Sequence, residues 1–176
     1  MEVGDLVSKT LSCLKSNLQS NQLEIVNERG TKWSVSFKFN EPVHPNVLSD
    51  FESEYFRLPP DYKNFLLISN GATMFTPEFG GGYEIHSLDK MKEIKNYHDY
   101  LPTEWWPIVS IVDGDYFVNS TKPDQQDYLY LSNAIVDESQ KMNMTFELWL
   151  DRLVVAQGSK FWEWDLYSGE RFYKSY

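Results

Sequence analysis

The chain has one cysteine, three histidines and no long hydrophobic run, and each shortage excludes a class of protein. A single cysteine among 176 residues rules out an intrachain disulfide, which suits a reducing compartment. The histidines, His44, His86 and His98, lack metal-ligand spacing, so we expect no metal site and no cofactor. No apolar stretch approaches the roughly 20 residues of a membrane span, and acidic Glu2 and Asp5 stand where a secretion signal would be basic. We expect a cytoplasmic protein without a membrane contact.

Basic residues are also scarce. The 16 lysines and arginines face 26 acids, for a formal net charge of −10, which argues against direct binding of nucleic acid. The imbalance is local, because residues 99–151 hold ten acids and two lysines, whereas residues 1–50 hold six acids and five bases. Two interpretations of this acidic stretch stay open, a solvated surface and a surface that binds a basic partner.

Helices are predicted from apolar residues that recur at helical spacing. Val7, Leu11, Leu14 and Leu18 form one such stripe. Proline suits the first turn of a helix, so Pro60 begins a short amphipathic helix that a second helix precedes. Ser and Thr residues are placed to cap two later helices. The predicted helices span residues 4–19, 45–69 (a helix pair), 87–97 and 145–156.

Strands are predicted from alternation and from one continuous apolar run. Trp33 to Phe39 alternates cleanly, and Pro107 to Val112 has the pattern of a central strand covered on both faces. We take 101–106 as a connector and Phe161–Trp164 as a final strand or extended tail. The prediction is a single α+β domain over residues 1–176, with a mixed, mainly antiparallel sheet of about six strands and flanking helices.

The stretch from Phe51 to Gly71 resembles a known family. An acidic helix followed by Leu58-Pro59, Asp61-Tyr62, Phe65-Leu66 and Asn70-Gly71 is similar to the motif of the SUKH superfamily, which includes fungal Smi/Knr cell-wall-synthesis regulators and bacterial toxin-immunity proteins. The resemblance covers residues 45–165 and implies one α+β domain without catalytic residues of its own. A helix hairpin of an unrelated fold is the alternative. The residues assigned to the family motif, as structural elements, are Leu58, Pro59, Tyr62, Phe65, Leu66, Asn70 and Gly71.

An enzyme finds little support in the sequence. The usual hydrolase motifs are missing, and the glycines at 80–82 lack the Lys-Ser/Thr of a phosphate-binding loop. Asp113 and Asp115 flank Gly114 and have the composition of an acid/base or metal-binding pair, but ordinary hairpin-turn chemistry explains the same pattern. We therefore predict no catalytic residue. An enzyme whose carboxylates come together only in the fold is a distant alternative.

Two binding functions remain. The resemblance implies an immunity protein that neutralises a toxin or a regulatory scaffold of the cell-wall type, and the compact length favours the first. A nuclease carries cations to hold phosphates, so a basic, nuclease-type toxin is the expected partner of the acidic stretch. Aromatic residues anchor interfaces, so tyrosines near these acids join the prediction where they are not in the core. The predicted toxin-binding residues are Asp113, Asp115, Asp124, Asp127, Asp137, Glu138, Tyr116, Tyr128 and Tyr130.

Overall fold

The structure, a computed structural model, describes residues 3–26, 30–97, 102–112, 114–120, 128–132 and 140–164. The helices in these ranges are α1 (Asp5–Asn17), α2 (Pro45–Glu54), α3 (Pro60–Ile68), α4 (Leu88–Tyr97) and α5 (Phe146–Val155), followed by a 3₁₀ turn (Phe161–Glu163). The strands are β1 (Gln22–Val26), β2 (Lys32–Phe39), β3 (Ala72–Pro77), β4 (Tyr83–Ile85), β5 (Trp105–Ile111), β6 (Gly114–Asn119), β7 (Leu129–Ser132) and β8 (Gln140–Lys141).

The strands form one sheet in which the spatial order is the order along the chain. Every neighbouring pair is antiparallel, which confirms the predicted α+β class with a mainly antiparallel sheet. The described residues contribute eight strands rather than about six. The last, β8, has two residues, too few for alternation to reveal it.

Strand β5 has the central place predicted for it. It has four strands on one side and three on the other, and Trp106 to Val109 are buried in succession, as in a strand covered on both faces. The strand starts at Trp105, so the predicted connector 101–106 was too long by two residues.

One face of the sheet is covered by α1, α3 and α5, which also contact one another. The α5 ring of Trp149 lies 5.0 Å from the β6 ring of Tyr116, and the α1 ammonium of Lys15 lies 4.5 Å above the ring of Phe39. The amide of Gly4 donates to Glu147 of α5 at 2.9 Å. The first helix is therefore packed on the last.

The prediction for Phe161–Trp164 was wrong. These residues make a 3₁₀ turn because Trp162 turns inward, with its ring 5.6 Å from that of Tyr116 and 6.4 Å from that of Tyr83. An extended strand would carry successive rings to opposite faces, whereas this turn lets one ring reach the core.

Gly71 has a different role from the one predicted. Its φ of +91° is the left-handed conformation expected of it, but α3 ends at Ile68 and the next residue, Ser69, is extended. Gly71 instead begins the path into β3, where a Cβ atom would lie 2.8 Å from the backbone nitrogen of Ser87. The glycine therefore permits a close approach of two backbone segments.

We expect Gly71→Val to destabilise the protein more than Gly30→Val. Both glycines have positive φ, but a Cβ at Gly30 would meet nothing within 4 Å. Left-handed backbone costs a residue with a Cβ about 1–2 kcal/mol, and the clash at Gly71 adds roughly 1–3 kcal/mol, as overpacking does. Urea unfolding of the two variants measures the difference. Equal losses would show that the space around Gly71 relaxes freely.

Candidate partner-binding surface

The family-like motif lies inside the protein. Tyr62, Phe65 and Leu66 are fully buried and Leu58 is 1% exposed, while Pro59 is buried and Asn70 is half-buried. A buried side chain cannot meet a partner without unfolding part of the chain. These motif residues therefore belong to the interior of the protein.

Asp61 connects this motif to the last helix. Its carboxylate accepts hydrogen bonds from the Tyr128 hydroxyl at 2.5 Å and from the Glu147 amide at 2.9 Å. The Glu147 amide is one of the free N–H groups at the start of α5, so a negative side chain satisfies it and suits the helix dipole. Sequence reasoning placed Asp61 only at the start of its own helix. It missed the second role because the partners are 67 and 86 residues away.

Two other motif residues connect α3 to the start of α4. The Tyr62 hydroxyl donates to the His86 carbonyl at 2.7 Å, and the Asn70 side-chain oxygen accepts from the Leu88 amide at 3.1 Å. Thus α3 holds the N-terminal ends of both α4 and α5 through side chains of the motif.

A chain of hydrogen bonds leads from the buried His86 to Asp115 in β6. The Nε2 atom of His86 lies 2.8 Å from Ser110 Oγ, and the Ser110 hydroxyl donates to Asp115 Oδ1 at 2.5 Å. Because the single hydroxyl proton goes to the carboxylate, Ser110 accepts from an Nε2–H. Burial lowers the pKa of His86 to about 4, while the nearby Pro107 carbonyl opposes the shift.

This order of groups differs from that of a nucleophilic triad. A catalytic serine gives its proton to histidine, and the acid orients the histidine. Here serine lies between the two, so the chain fixes the Asp115 carboxylate instead of activating Ser110.

Asp115 belongs to the face of the sheet opposite α5. In β6, Tyr116 and Val118 point towards the helices, and side chains alternate, so Asp115 and Phe117 point the other way. The ring of Trp105 lies 5.6 Å from that of Phe117 and 5.1 Å from that of Tyr130, and both Trp105 and Tyr130 are half-buried. Phe117 is only 3% exposed although it lies outside the main core cluster. We call Trp105, Asp115, Phe117 and Tyr130 the outward face.

Comparison with known proteins matches residues 42–152 to the model of the SMI1 / KNR4 family (SUKH-1). The chain belongs to the SMI1 / KNR4 (SUKH-1) family. It is similar to the uncharacterized protein YobM of Bacillus subtilis (strain 168), with 28% identity over 183 residues that cover 97% of this chain and 98% of YobM. It is also similar to the uncharacterized protein YnaB of the same strain, with 34% identity over 133 residues that cover 73% of this chain and 88% of YnaB. The resemblance stated from the motif is confirmed.

For this SUKH protein the three predicted tyrosines divide between core and surface. Tyr116 is fully buried and Tyr128 is 2% exposed, so the condition set for them as anchors is not met. The Tyr116 side chain lies on the face of β6 that the helices cover, and the Tyr128 hydroxyl donates a hydrogen bond to Asp61. Tyr130 lies on the outward face. Trp105 was not predicted from the sequence. It lies on the outward face because it pairs with Asn119 in the register of β5 with β6.

Of the six predicted acids, Asp115 is described. Asp113, Asp124, Asp127, Asp137 and Glu138 lie outside the described residues. Four of these acids lie in two segments that flank β7 along the chain. Residues 121–127 lead from β6 to the first residue of β7, and residues 133–139 follow its last residue. Because Leu129 and Ser132, the first and last residues of β7, are three residue steps apart, these ends are about 10 Å apart.

The described part of the chain holds neither a cluster of metal-ligand residues nor a membrane-spanning helix. No group of three or more His, Cys, Asp and Glu residues in it is arranged to hold a metal ion. None of its helices combines the length and the hydrophobicity that a membrane crossing requires.

Proposed function

We propose that this SUKH protein is a non-enzymatic immunity protein that binds a basic, nuclease-type toxin through the outward face and the acidic segments that adjoin it. The observation that carries the proposal is the aromatic cluster of Trp105, Phe117 and Tyr130 beside a fixed carboxylate, on the sheet face opposite α1, α3 and α5. Family membership supports a binding role, since the family resembled by the motif includes immunity proteins.

The aromatic cluster has the properties of an interface centre. Large rings supply contact area at low entropy cost, and those that are already packed lose little freedom on binding. Trp105 and Tyr130 are half-buried by each other and by Phe117, so their exposed edges are held in place before a partner arrives. Preorganisation of this kind strengthens binding without adding contacts.

The Asp115 carboxylate is likewise held in one orientation before a partner binds. The Ser110 hydroxyl donates to one of its carboxylate oxygens, and the buried His86 ring holds the serine in turn. The second oxygen is then oriented by the first. A carboxylate held this way presents a fixed acceptor to an arginine or lysine of a partner, which favours charge-assisted hydrogen bonds.

The acidic stretch adds a long-range field. Residues 99–151 carry a net charge of −8, but two of its acids serve the fold: Glu147 accepts from Gly4, and Asp151 accepts from Thr10 at 3.0 Å. The remaining acids include Asp115 and the five in the segments that adjoin the outward face. Two of those segments join the opposite ends of β7, and these strand ends, about 10 Å apart, lie well within an interface of standard size, about 800 Å² per partner.

A nuclease is the toxin chemistry that fits this field. Its substrate-binding surface must be cationic to hold phosphates, so an acidic inhibitor can occupy the same surface. Complementary fields raise association rates from about 10⁵–10⁶ to as much as 10⁸–10⁹ M⁻¹s⁻¹ at low salt, and an inhibitor that acts before the toxin reaches its substrate benefits from speed.

We expect the replacement of Asp124, Asp127, Asp137 and Glu138 by Asn or Gln to slow association with the cognate toxin by about tenfold or more at low salt. The difference should shrink as salt screens the charges. Stopped-flow association over a salt series, together with co-expression of toxin and variant, measures it.

The matched control changes the same number of charges elsewhere. Glu24, Asp50, Glu54 and Glu93 are exposed on other elements, and their amide variants alter the net charge equally. The proposal requires the control to associate at nearly the natural rate. An equal slowing in both variants would make net charge the cause, and a natural chain that neither binds the cognate toxin nor protects cells would contradict the immunity function itself.

A further inference from the structure

An apolar groove of about 670 Å³ opens between strands β2 to β4 and the residues that follow α5. Its lining includes the buried side chains of Val35, Phe75 and Tyr83. It also includes Trp33 and Val112, which are exposed by 39% and 78% respectively. Adjacent apolar side chains left open to water beside a concave surface mark an interaction site.

A protruding ring lies directly beside this groove. Phe79, in the turn between β3 and β4, is 77% exposed and packs edge-on against Trp33, with ring centroids 5.4 Å apart. Gly81 of the same turn lies so close to Val112 that a Cβ atom would be 3.3 Å from its side chain. The turn therefore borders the groove at both of its exposed lining residues. A ring held in place before binding loses little freedom when a partner buries it.

Exposed apolar side chains are concentrated at this place. The described residues include ten large apolar side chains that are exposed, and five of them lie in or beside the groove, namely Val26, Trp33, Phe79, Val112 and Trp164. At about 150–250 Å² for a whole aromatic side chain, the three rings alone leave about 250–400 Å² open to water. A standard interface takes about 800 Å² from each partner, of which roughly 60% is apolar. With its two valines the patch thus supplies most of the apolar area that a stable dimer needs.

The charges around the groove cancel. Its lining contains one base and one acid, Lys160 and Glu163, whose charged groups lie 3.6 Å apart. Next to Trp33, Lys32 pairs with Glu24 at 3.1 Å. Two copies of a chain of net charge −10 repel each other where their acids are concentrated, but not at a locally neutral patch. A basic partner is attracted to the acidic stretch instead, so the charges here favour a second copy of this chain as the occupant.

The nearby edge strand β1 offers little to a strand of another chain. The Val26 amide donates to the side chain of Gln157 at 2.7 Å, and Gln22 exchanges two backbone hydrogen bonds of 2.9 Å with Gln19. An edge whose two ends are already paired is a poor template for further backbone pairing. A second copy is therefore expected to bind through side chains.

We propose that two copies of this chain associate through this patch, with Phe79 of each copy in the groove of the other. A dimer with two-fold symmetry brings the same surface of both copies together, so the patch must be complementary to itself. Phe79 supplies the protrusion and the groove supplies the recess. A volume of about 670 Å³ also lies within the range of pockets that enclose a ligand, about 300–1,000 Å³.

Sedimentation equilibrium of the full natural chain, from micromolar to sub-millimolar concentration, tests this dimer. The mass should rise with concentration from one chain towards two. Phe79→Ser should raise the dissociation constant at least tenfold, because it removes a central aromatic contact twice in each dimer. Tyr97→Ser removes a ring that is 82% exposed at the end of α4, and it should leave the dissociation constant unchanged. A natural chain that stays monomeric throughout, or a Phe79→Ser variant that associates like the natural chain, would overturn the proposal.

A mixture of two variants tests the insertion of the ring itself. Val112→Asp places a charge in the groove and keeps Phe79, whereas Phe79→Ser keeps the groove. Each variant alone loses both ring–groove contacts, but a mixed pair retains one. Energy transfer between labelled chains should therefore show that the mixture associates at least tenfold more tightly than either variant alone.

Val47→Asp controls for a new charge on an exposed valine. Val47 lies on α2 and is 52% exposed, so the variant should associate as the natural chain does. A mixture no tighter than its components, or a loss from Val47→Asp as large as that from Val112→Asp, would contradict insertion of Phe79 into the groove. None of these outcomes depends on the toxin or on the outward face.

Discussion

Leu66→Ala is expected to lower the free energy of unfolding by about 2–5 kcal/mol. Leu66 is fully buried in α3, which packs against both α1 and α5. Removing its branched end loses apolar burial and leaves a cavity in the core, into which the surrounding structure relaxes only in part. For a chain of this size the loss corresponds to a fall in Tm of roughly 4–20 °C.

Val47→Ala is the control for this prediction. Val47 lies on the preceding helix, and its side chain is 52% exposed, so the substitution removes methyl groups without opening a cavity. Its expected effect is within about 0.5 kcal/mol, as for surface substitutions. Urea unfolding of both variants gives the comparison. Similar stabilities for Leu66→Ala and Val47→Ala would show that α3 does not contribute its apolar side to the core.

Asp61→Ala is expected to cost about 2–6 kcal/mol, because it deprives the Tyr128 hydroxyl and the Glu147 amide of their acceptor at about 1–3 kcal/mol each, and it also removes the acceptor of the Tyr62 amide. Asp61 is 1% exposed, and it receives the Tyr128 hydroxyl and the Glu147 amide. The Tyr128 hydroxyl is buried, and the Glu147 amide belongs to the first turn of α5. We therefore expect α5 to lose hydrogen-exchange protection at its N-terminal end before its C-terminal end.

A double-mutant cycle separates this network from simple loss of volume. In a Tyr128→Phe background the hydroxyl donor to Asp61 is already gone, so Asp61→Ala should cost less than in the natural chain by about 0.5–3 kcal/mol. Asp61→Asn keeps one acceptor oxygen and should fall between the natural chain and Asp61→Ala. Strict additivity of Asp61→Ala and Tyr128→Phe would mean that their hydrogen bond contributes nothing measurable.

These two variants act on the frame, whereas the proposed toxin contacts lie elsewhere. Leu66 and Asp61 are buried on the side of the sheet that carries α1, α3 and α5. The outward face projects from β5, β6 and β7 in the opposite direction. Because side chains alternate across a strand, residues on one face can change without repacking the other. A common frame can therefore present different partner surfaces.

Prediction from sequence succeeded where the signal is local. Apolar residues at helical spacing gave α1 within two residues at each end, and Thr145 caps α5 through its side chain as predicted. The continuous apolar run gave the central strand β5. Each of these patterns is contained in a few consecutive residues, so the physical cause and the sequence signal coincide.

Prediction failed where a distant contact decides. A 3₁₀ turn is present where a strand was expected at 161–164, because the Trp162 ring packs against Tyr83 of β4 and Tyr116 of β6. The same holds for Tyr116 itself, whose place in the core depends on which face of β6 meets Trp149. Alternation shows that two faces exist, and only packing shows which one the helices cover.

By itself, then, the sequence determined the helices, the central strand, the family and the excess of acids, since each is written in composition or in spacing along the chain. Tertiary structure alone decided that Asp61 holds the start of α5, that Asp115 is fixed through Ser110 to His86, and that Trp105 packs against both Phe117 and Tyr130. The reason is physical: these contacts join residues that only the order and register of the strands and the packing of the helices bring within hydrogen-bond or van der Waals distance.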